Sequence, residues 1–305
     1  MTVVLSLVAQ ILHLALMLAA APSVAGVMDG LDARLAGRTG PPLLSPWRDL
    51  VRLCRKTPIL MDGFSAVTQI APAVALGATL SAAALVPSFT LGMALSPLAD
   101  VLVIVSLLTI ARVATALAAL DSGAPLPGLA QQGASALAVV AEPALMLAMV
   151  ALALMGGSFN LDLIIGQQRE GVLLPAAASA VTLTALLALL LGDMRAPGRD
   201  IEQMFGGIEL AMIRMAGWLR LVIWVDLVGN LFLPIGIAPT DGFPAAWLVG
   251  VACWAVKLAA AILALCGLRA FLGRVPRQSL PDLIGVAALL ALLAVIMVLA
   301  SAGAA

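Results

Sequence analysis

The sequence predicts an all-α, polytopic membrane fold of about eight transmembrane helices, and three observations predict it. Of 305 residues, 63% belong to the AVILMFWYC set and only 10% are charged, where soluble domains carry about a quarter charged residues. Apolar runs long enough to cross the hydrocarbon core, about 20 residues at 1.5 Å rise each, recur from end to end. The charges gather mostly between those runs. Too little sequence is left over for a soluble domain, so residues 1–305 read as a single transmembrane domain.

The apolar runs fall at 3–27, 64–86, 98–120, 134–156, 173–192, 211–233, 244–268 and 282–302. The first could pass for a signal peptide, since APSVAG offers small residues for cleavage. No Lys or Arg precedes Arg34, however, and the run exceeds a typical signal core, so an uncleaved span is expected. Short-loop Lys and Arg mark the cytoplasmic side. They sit in the first loop, 28–63 (Arg34, Arg38, Arg48, Arg52, Arg55, Lys56), the fifth, 193–210 (Arg195, Arg199), and the seventh (Arg274, Arg277). The even-numbered loops set only Arg169 against Asp162, Glu170 and Asp241. Both termini are therefore expected outside, and the odd loops in the cytoplasm, of a bacterial or archaeal inner membrane.

Equal numbers of basic and acidic residues, 16 each, remove the cationic surplus that nucleic-acid binding requires. Cys54, Cys253 and Cys266 are too scattered for a zinc or iron–sulfur site, and His13 is the only histidine. No catalytic residue, metal site or cofactor is expected within this chain.

In the first loop, SPWRDLVRLCRK predicts a short helix, with Ser45 as its cap and Pro46 in its first turn. Trp47, Leu50, Val51 and Cys54 recur at i, i+3, i+4 and i+7 while charges fill the other face, the pattern of an interfacial amphipathic helix. Two readings stand: a basic membrane anchor, or a docking platform built on Arg38, Arg48, Asp49, Arg52 and Arg55.

An ionisable group at bilayer depth costs roughly 2.5–3.5 kcal/mol and is normally paired or functional. Counted from one side, Arg112 lies about 13 Å deep and Glu142 about 12 Å deep at 1.5 Å per residue, so the two can neutralise each other between neighbouring helices. Pro143 withholds one backbone N–H beside Glu142, freeing a carbonyl there. By the same count His13 and Lys257 fall near mid-depth, Arg220 somewhat to the cytoplasmic side and Asp226 somewhat to the outer side, and together they are expected to form a polar layer across the bundle. Glu142, Lys257 and His13 titrate readily enough to relay protons, while the arginines would act as fixed charges. The competing reading is a set of static ion pairs that fix helix register.

Several stretches, in order, resemble the family that contains membrane subunit 1 of respiratory complex I and the formate hydrogenlyase subunit 4 group. LDARLAGRTGPPLLSPWRDLVRLCRK looks like that family's basic first-loop segment, with Arg38, Gly40, Pro41, Asp49 and Arg52 in matching places. IARVATALAALDSGAPLPGLA resembles its A-R…G-L-D-T-G-S-P-F, matching Arg112, Asp121, Gly123 and Pro125. AEPALML puts Glu142 on the family's buried glutamate, LRLVIWVDLVGNLFLP, with Asp226, is close to the span ending N-L-F-x-P, and AVKLAAAILAL places Lys257.

The resemblance implies eight main helices and a non-catalytic subunit of an oxidoreductase complex. Such a subunit docks a peripheral electron-transfer arm and lines a proton path toward antiporter-like subunits. Implied partners are hydrogenase-like large and small subunits, a ferredoxin-like iron–sulfur subunit, antiporter-like membrane subunits and the bilayer; iron–sulfur and NiFe centres would sit on those partners. Two departures stand out. In RAPGRDIEQMFGGIELAMIRMAGW, Asp200 and Glu202 match the ends of the family's acidic loop, but some fifteen residues with most of its carboxylates are missing. Arg269 stands where relatives usually have glutamate. Proton-path candidates are therefore Glu142, Arg112, Lys257, Asp226, Asp121, Asp200, Glu202 and Glu209. A scaffold without proton coupling, or an ion or solute carrier, are the alternative functions.

Overall fold

The computed structural model describes residues 3–57, 65–121, 125–170, 176–195, 202–238, 244–272 and 280–303. Among these are ten α-helices: α1 (Val3–Leu35), α2 (Ser45–Cys54), α3 (Ala66–Leu85), α4 (Val101–Asp121), α5 (Pro125–Gly156), α6 (Leu161–Arg169), α7 (Ala176–Arg195), α8 (Gly207–Phe232), α9 (Pro244–Leu272) and α10 (Leu280–Gly303). Eight of them coincide with the eight apolar runs. Six (α1, α3, α4, α5, α9 and α10) are long and apolar enough to cross a membrane. The described apolar part of α7 is shorter, Ala177–Asp193, and α8 carries Arg214, Arg220 and Asp226 within its length. The expected membrane fold is present, with eight an approximate count of its spans.

Several helices outrun the apolar runs that announced them. α1 continues to Leu35, well into the expected first loop, and α5 begins at Pro125 rather than near residue 134. Polar residues at a helix end leave the backbone ladder intact, so hydropathy marks where a bilayer ends and not where a helix ends.

The long helices make one bundle. α3 lies against α4 and α8, α10 fills the groove between α5 and α7, and α1 crosses α8. The core is fine-grained, with Ala9, Ala21, Ala82, Ala148, Ala185, Ala287 and Ala291 essentially inaccessible among larger Met17, Phe89, Ile104, Leu152 and Leu219. Small side chains let helix backbones approach where hydrophobic burial alone gives no drive. Outward-facing Leu248, Val256, Leu289 and Ile110 remain exposed, as a lipid-facing surface requires.

At one end, α2 lies against α1 and α8. The predicted amphipathic helix is there, but its cap differs: Leu44 occupies the N-cap, no side chain caps it, and Ser45 is already helical with Pro46 in the first turn. The helix buries Pro46 and Leu53, while Trp47 is half-buried and Val51 and Cys54 stay exposed. Gly26 makes this seat possible. A Cβ there would meet the Leu43 carbonyl oxygen at 2.1 Å, so a side chain would push the α2 segment off α1.

At the opposite end the connections are knotted together. Leu91 N–H donates to Ala238 O (3.2 Å) and Ala238 N–H to Phe89 O (2.8 Å), while Val101 and Leu161 N–H groups bond Phe159 and Ala99 carbonyls. α6, which the hydropathy pattern does not announce, is capped by Asn160, whose side chain accepts from Leu163 N–H and donates to Ser96 O. Asp162 accepts from Gly92 N–H (2.8 Å) and the Ser96 hydroxyl, and burial raises its carboxyl above the usual range against those bonds.

Candidate functional site

The helix crossings bring four charged side chains together toward the α2 end of the bundle. Arg112 on α4 donates from Nη1 to Glu142 Oε1 on α5 (3.2 Å) and from Nη2 to Asp193 Oδ1 on α7 (2.9 Å). Arg220 on α8 donates to the same Asp193 oxygen at 2.8 Å. All four are largely shielded, with 17–23% of each side chain exposed. The expected Arg112–Glu142 pair is therefore half of a four-helix network whose hub is Asp193. Sequence reasoning placed Asp193 at the edge of a loop, and only the end of α7 meeting α4 and α8 reveals it.

Each guanidinium–carboxylate bond is charge-assisted and contributes about 1.5–3 kcal/mol, but that offsets a desolvation cost of several kcal/mol per ion. Such a cluster fixes helix register and sets two carboxylates against two guanidiniums between the spans. Pro143, inside α5, keeps a carbonyl free next to Glu142.

A cavity of about 390 Å³ lies beside the network, lined among others by Asp29, Arg112, Gln131, Asp193, Trp224 and Arg269. Near it Arg269 is paired with Asp32 of α1 at 3.2 Å. The arginine that departs from the family pattern thus ties α9 to α1.

The four groups expected to form a polar layer have different immediate partners. Arg220 belongs to the Asp193 network, whereas His13 bridges α1 to the last turn of α3 and the residues just after it, Nε2 donating to Ala83 O (2.8 Å) and Nδ1 paired with Ser88 Oγ (2.7 Å). Asp226 accepts from the Trp254 indole (2.8 Å). Lys257 donates to Asn230 Oδ1 (2.7 Å) and, more weakly, to Leu233 O, while Asn230 donates to Pro87 O. Asn230 is a site residue that sequence reasoning passed over, and its burial in a span was the available signal.

The remaining candidates separate from the network. Asp121 is exposed and accepts hydroxyls of Ser65 and Thr68, fastening the end of α4 to the start of α3. Glu202 pairs with Arg214 at 3.0 Å, each about 30% exposed. Glu209, half-buried in the first turn of α8, has no hydrogen-bond partner among the described residues. Asp200 lies outside the described residues, as do Arg199, Arg274, Arg277, Asp241 and Gly123. Of the docking set, Arg38, Arg48 and Arg55 are exposed. Arg52 is held by Asp49 at 2.8 Å within α2, so its charge is partly spent inside the helix. Among the described residues no group of three His, Cys, Asp or Glu side chains is placed to hold a metal.

Fold and site together define a polytopic helical membrane protein with an ion network between its spans. The chain belongs to the NADH dehydrogenase family, which it matches over residues 7–300. It is 30% identical to formate hydrogenlyase subunit 4 of Escherichia coli (strain K12) over 158 residues, 52% of this chain and 52% of that protein, so this match spans about half of that relative. With hydrogenase-4 component C of the same organism it shares 27% identity over 237 residues, 71% of this chain and 72% of the other. A chain of the membrane-bound sulfane sulfur reductase, an archaeal respiratory membrane complex, has the same fold at a TM-score of 0.75 and 23% identity, with 98% of this chain and 100% of that one covered. The family expected from the sequence motifs is the family found.

Proposed function

We propose that this protein is a membrane anchor and proton-path subunit of a hydrogenase-like or complex I-like redox assembly in a bacterial or archaeal inner membrane. The observation that carries the reading is the Arg112–Glu142–Asp193–Arg220 network. It sets two carboxylates against two arginines inside a bundle of the NADH dehydrogenase family. Glu142 is its candidate proton-carrying carboxylate, largely shielded between spans and held by the Arg112 guanidinium, within reach of the general acid–base chemistry a relay needs.

In this reading the α2 end faces the cytoplasm and both termini lie outside. Arg38, Arg48 and Arg55 meet carboxylates of a peripheral arm bidentately, with Asp49 holding Arg52 beside them. That arm comprises hydrogenase-like large and small subunits and a ferredoxin-like subunit, which bear any NiFe and iron–sulfur centres. Antiporter-like subunits lie along the membrane. The names of the relatives, a formate hydrogenlyase subunit and a hydrogenase component, support this choice of partners.

Glu142→Gln tests the reading, because it keeps shape and abolishes titration. Proton uptake by sealed vesicles carrying the complex is expected to collapse while the complex still assembles. Full uptake in that variant would favour a second reading, a scaffold without coupling. The shortened fifth loop and the saturation of Asp193 Oδ1 by two guanidiniums lend that reading its support.

A further inference from the structure

Two donors in the cavity beside the network are not explained by the ion pairs. Arg220 Nε and the Trp224 indole Nε1 are both buried with no acceptor among the described residues. They stand one turn apart on α8, both residues line the same cavity, and Trp224 is only 3% exposed. A buried donor left unmade costs about 1–3 kcal/mol, and two of them on residues that line one cavity call for an oxygen acceptor there.

Asp193 lines the cavity as well. Both of its guanidinium partners use Oδ1, which leaves Oδ2 without a partner among the described residues. The occupant must then accept from two N–H groups and donate to a carboxylate. Water does both, whereas an anion carrying no proton could accept from the donors but not donate to Asp193. The cavity, about 390 Å³, is far larger than the ~10–15 Å³ that holding one water requires.

We propose that the cavity holds an ordered water that accepts from Arg220 Nε and Trp224 Nε1 and donates to Asp193. This water makes Asp193 a proton-carrying station, with Trp224 its positioning residue. The inference rests on the proton-path reading for its consequence, but the water itself is independent of that reading. Protons entering past Asp29 and Arg269 reach Asp193 through the water and pass beside Arg112 to Glu142.

Hydroxyl-radical labelling of the assembled complex tests it, because radicals formed from bound water oxidise the side chain they touch. Trp254 is an internal control: it is equally buried, 5% exposed, with its indole paired to Asp226. Trp224 is expected to label several-fold faster than Trp254, and equal slow labelling overturns the proposal. Trp224→Phe, which removes only the donor and some ring area, is expected to lower protons taken up per electron roughly two- to tenfold, the scale of one hydrogen bond, with electron transfer intact. Unchanged uptake in that variant refutes the positioning role. If Glu142→Gln keeps full uptake while Trp224 still labels fast, the proton-path reading fails and the bound water stands. Should Trp224→Phe fail to assemble, the wild-type labelling comparison decides alone.

Discussion

Asp193→Asn removes the negative charge that two guanidiniums share while preserving the side chain's shape. In the native protein one oxygen receives Arg112 Nη2 at 2.9 Å and Arg220 Nη2 at 2.8 Å. After substitution Arg112 still has Glu142, but Arg220 is left with no acid in contact among the described residues and with a second cation close by. Removing one partner of a buried pair costs about 3–5 kcal/mol, a large part of the ~5–15 kcal/mol that usually separates folded from unfolded states. Glu142→Gln removes only one of the two bonds of Arg112 and is expected to cost about 1.5–3 kcal/mol. Detergent-solubilised protein titrated into denaturing detergent, followed by tryptophan fluorescence, orders the two. Asp193→Asn is expected to unfold first. Adding Arg220→Met to Asp193→Asn is expected to restore part of the loss, since the orphaned cation goes with its partner. If Glu142→Gln is the more damaging change, or if the double variant is simply additive, Asp193 is not the hub.

Charge reversal at Arg48 and Arg55 is expected to release the peripheral arm from membranes while this subunit stays inserted, and retention of the arm after purification would count against docking through α2. Glu202→Gln is expected to cost only about 0.2–1 kcal/mol, because its pair with Arg214 is partly exposed. A fall in proton uptake with electron transfer intact would make it a station, and no change in either would leave it a loop brace. Asp162 gives a pH signature. Its carboxyl is raised in the folded protein by burial, so its contribution to stability is fully present below the ordinary aspartate range of about 3.9 and is lost as pH rises through the higher folded value. Stability of the α6 end is expected to improve on mild acidification, and Asp162→Asn is expected to flatten that slope in a pH series of thermal unfolding.

The spans were legible because nothing but a transmembrane helix accounts for repeated 20-residue apolar runs, and Arg112 and Glu142 were legible because a charge inside such a run needs a partner at its own depth. Asp193 was harder to read. At the last turn of an apolar helix, next to Arg195 and a proline, an acid looks like part of a solvated loop, and only the crossing of α7 with α4 and α8 turns it inward. His13 and Lys257 share a nominal mid-depth in the sequence, with Arg220 a little to the cytoplasmic side, yet depth fixes only one coordinate. Rotation about each helix axis, set by packing of small side chains, sent them to different neighbours. α6 escaped because nine residues with Asp162, Gln167, Gln168 and Arg169 carry no hydropathy signal, although Asn160 three residues before Leu163 is a readable cap.

The backbone ties at the end opposite α2 impose an order on biosynthesis. Leu91 pairs with Ala238, so the segment after α3 has to wait while nearly 150 further residues are made. At about 5–20 residues per second that wait is roughly 7–30 s. Through it the Leu91 N–H and the Phe89 carbonyl lack their native partner, and α3 can rest against α4 but not yet against α8. The Val101–Phe159 tie closes sooner, after some sixty residues, which is roughly 3–12 s at the same rate. A nascent chain stalled between these closures would expose a half-built bundle, with Asn230 not yet donating to Pro87 and His13 already able to reach Ser88. Whatever surveys the membrane for unfinished proteins has that interval in which to act, and a partner subunit recognising the closed end would meet only chains whose eighth helix is in place.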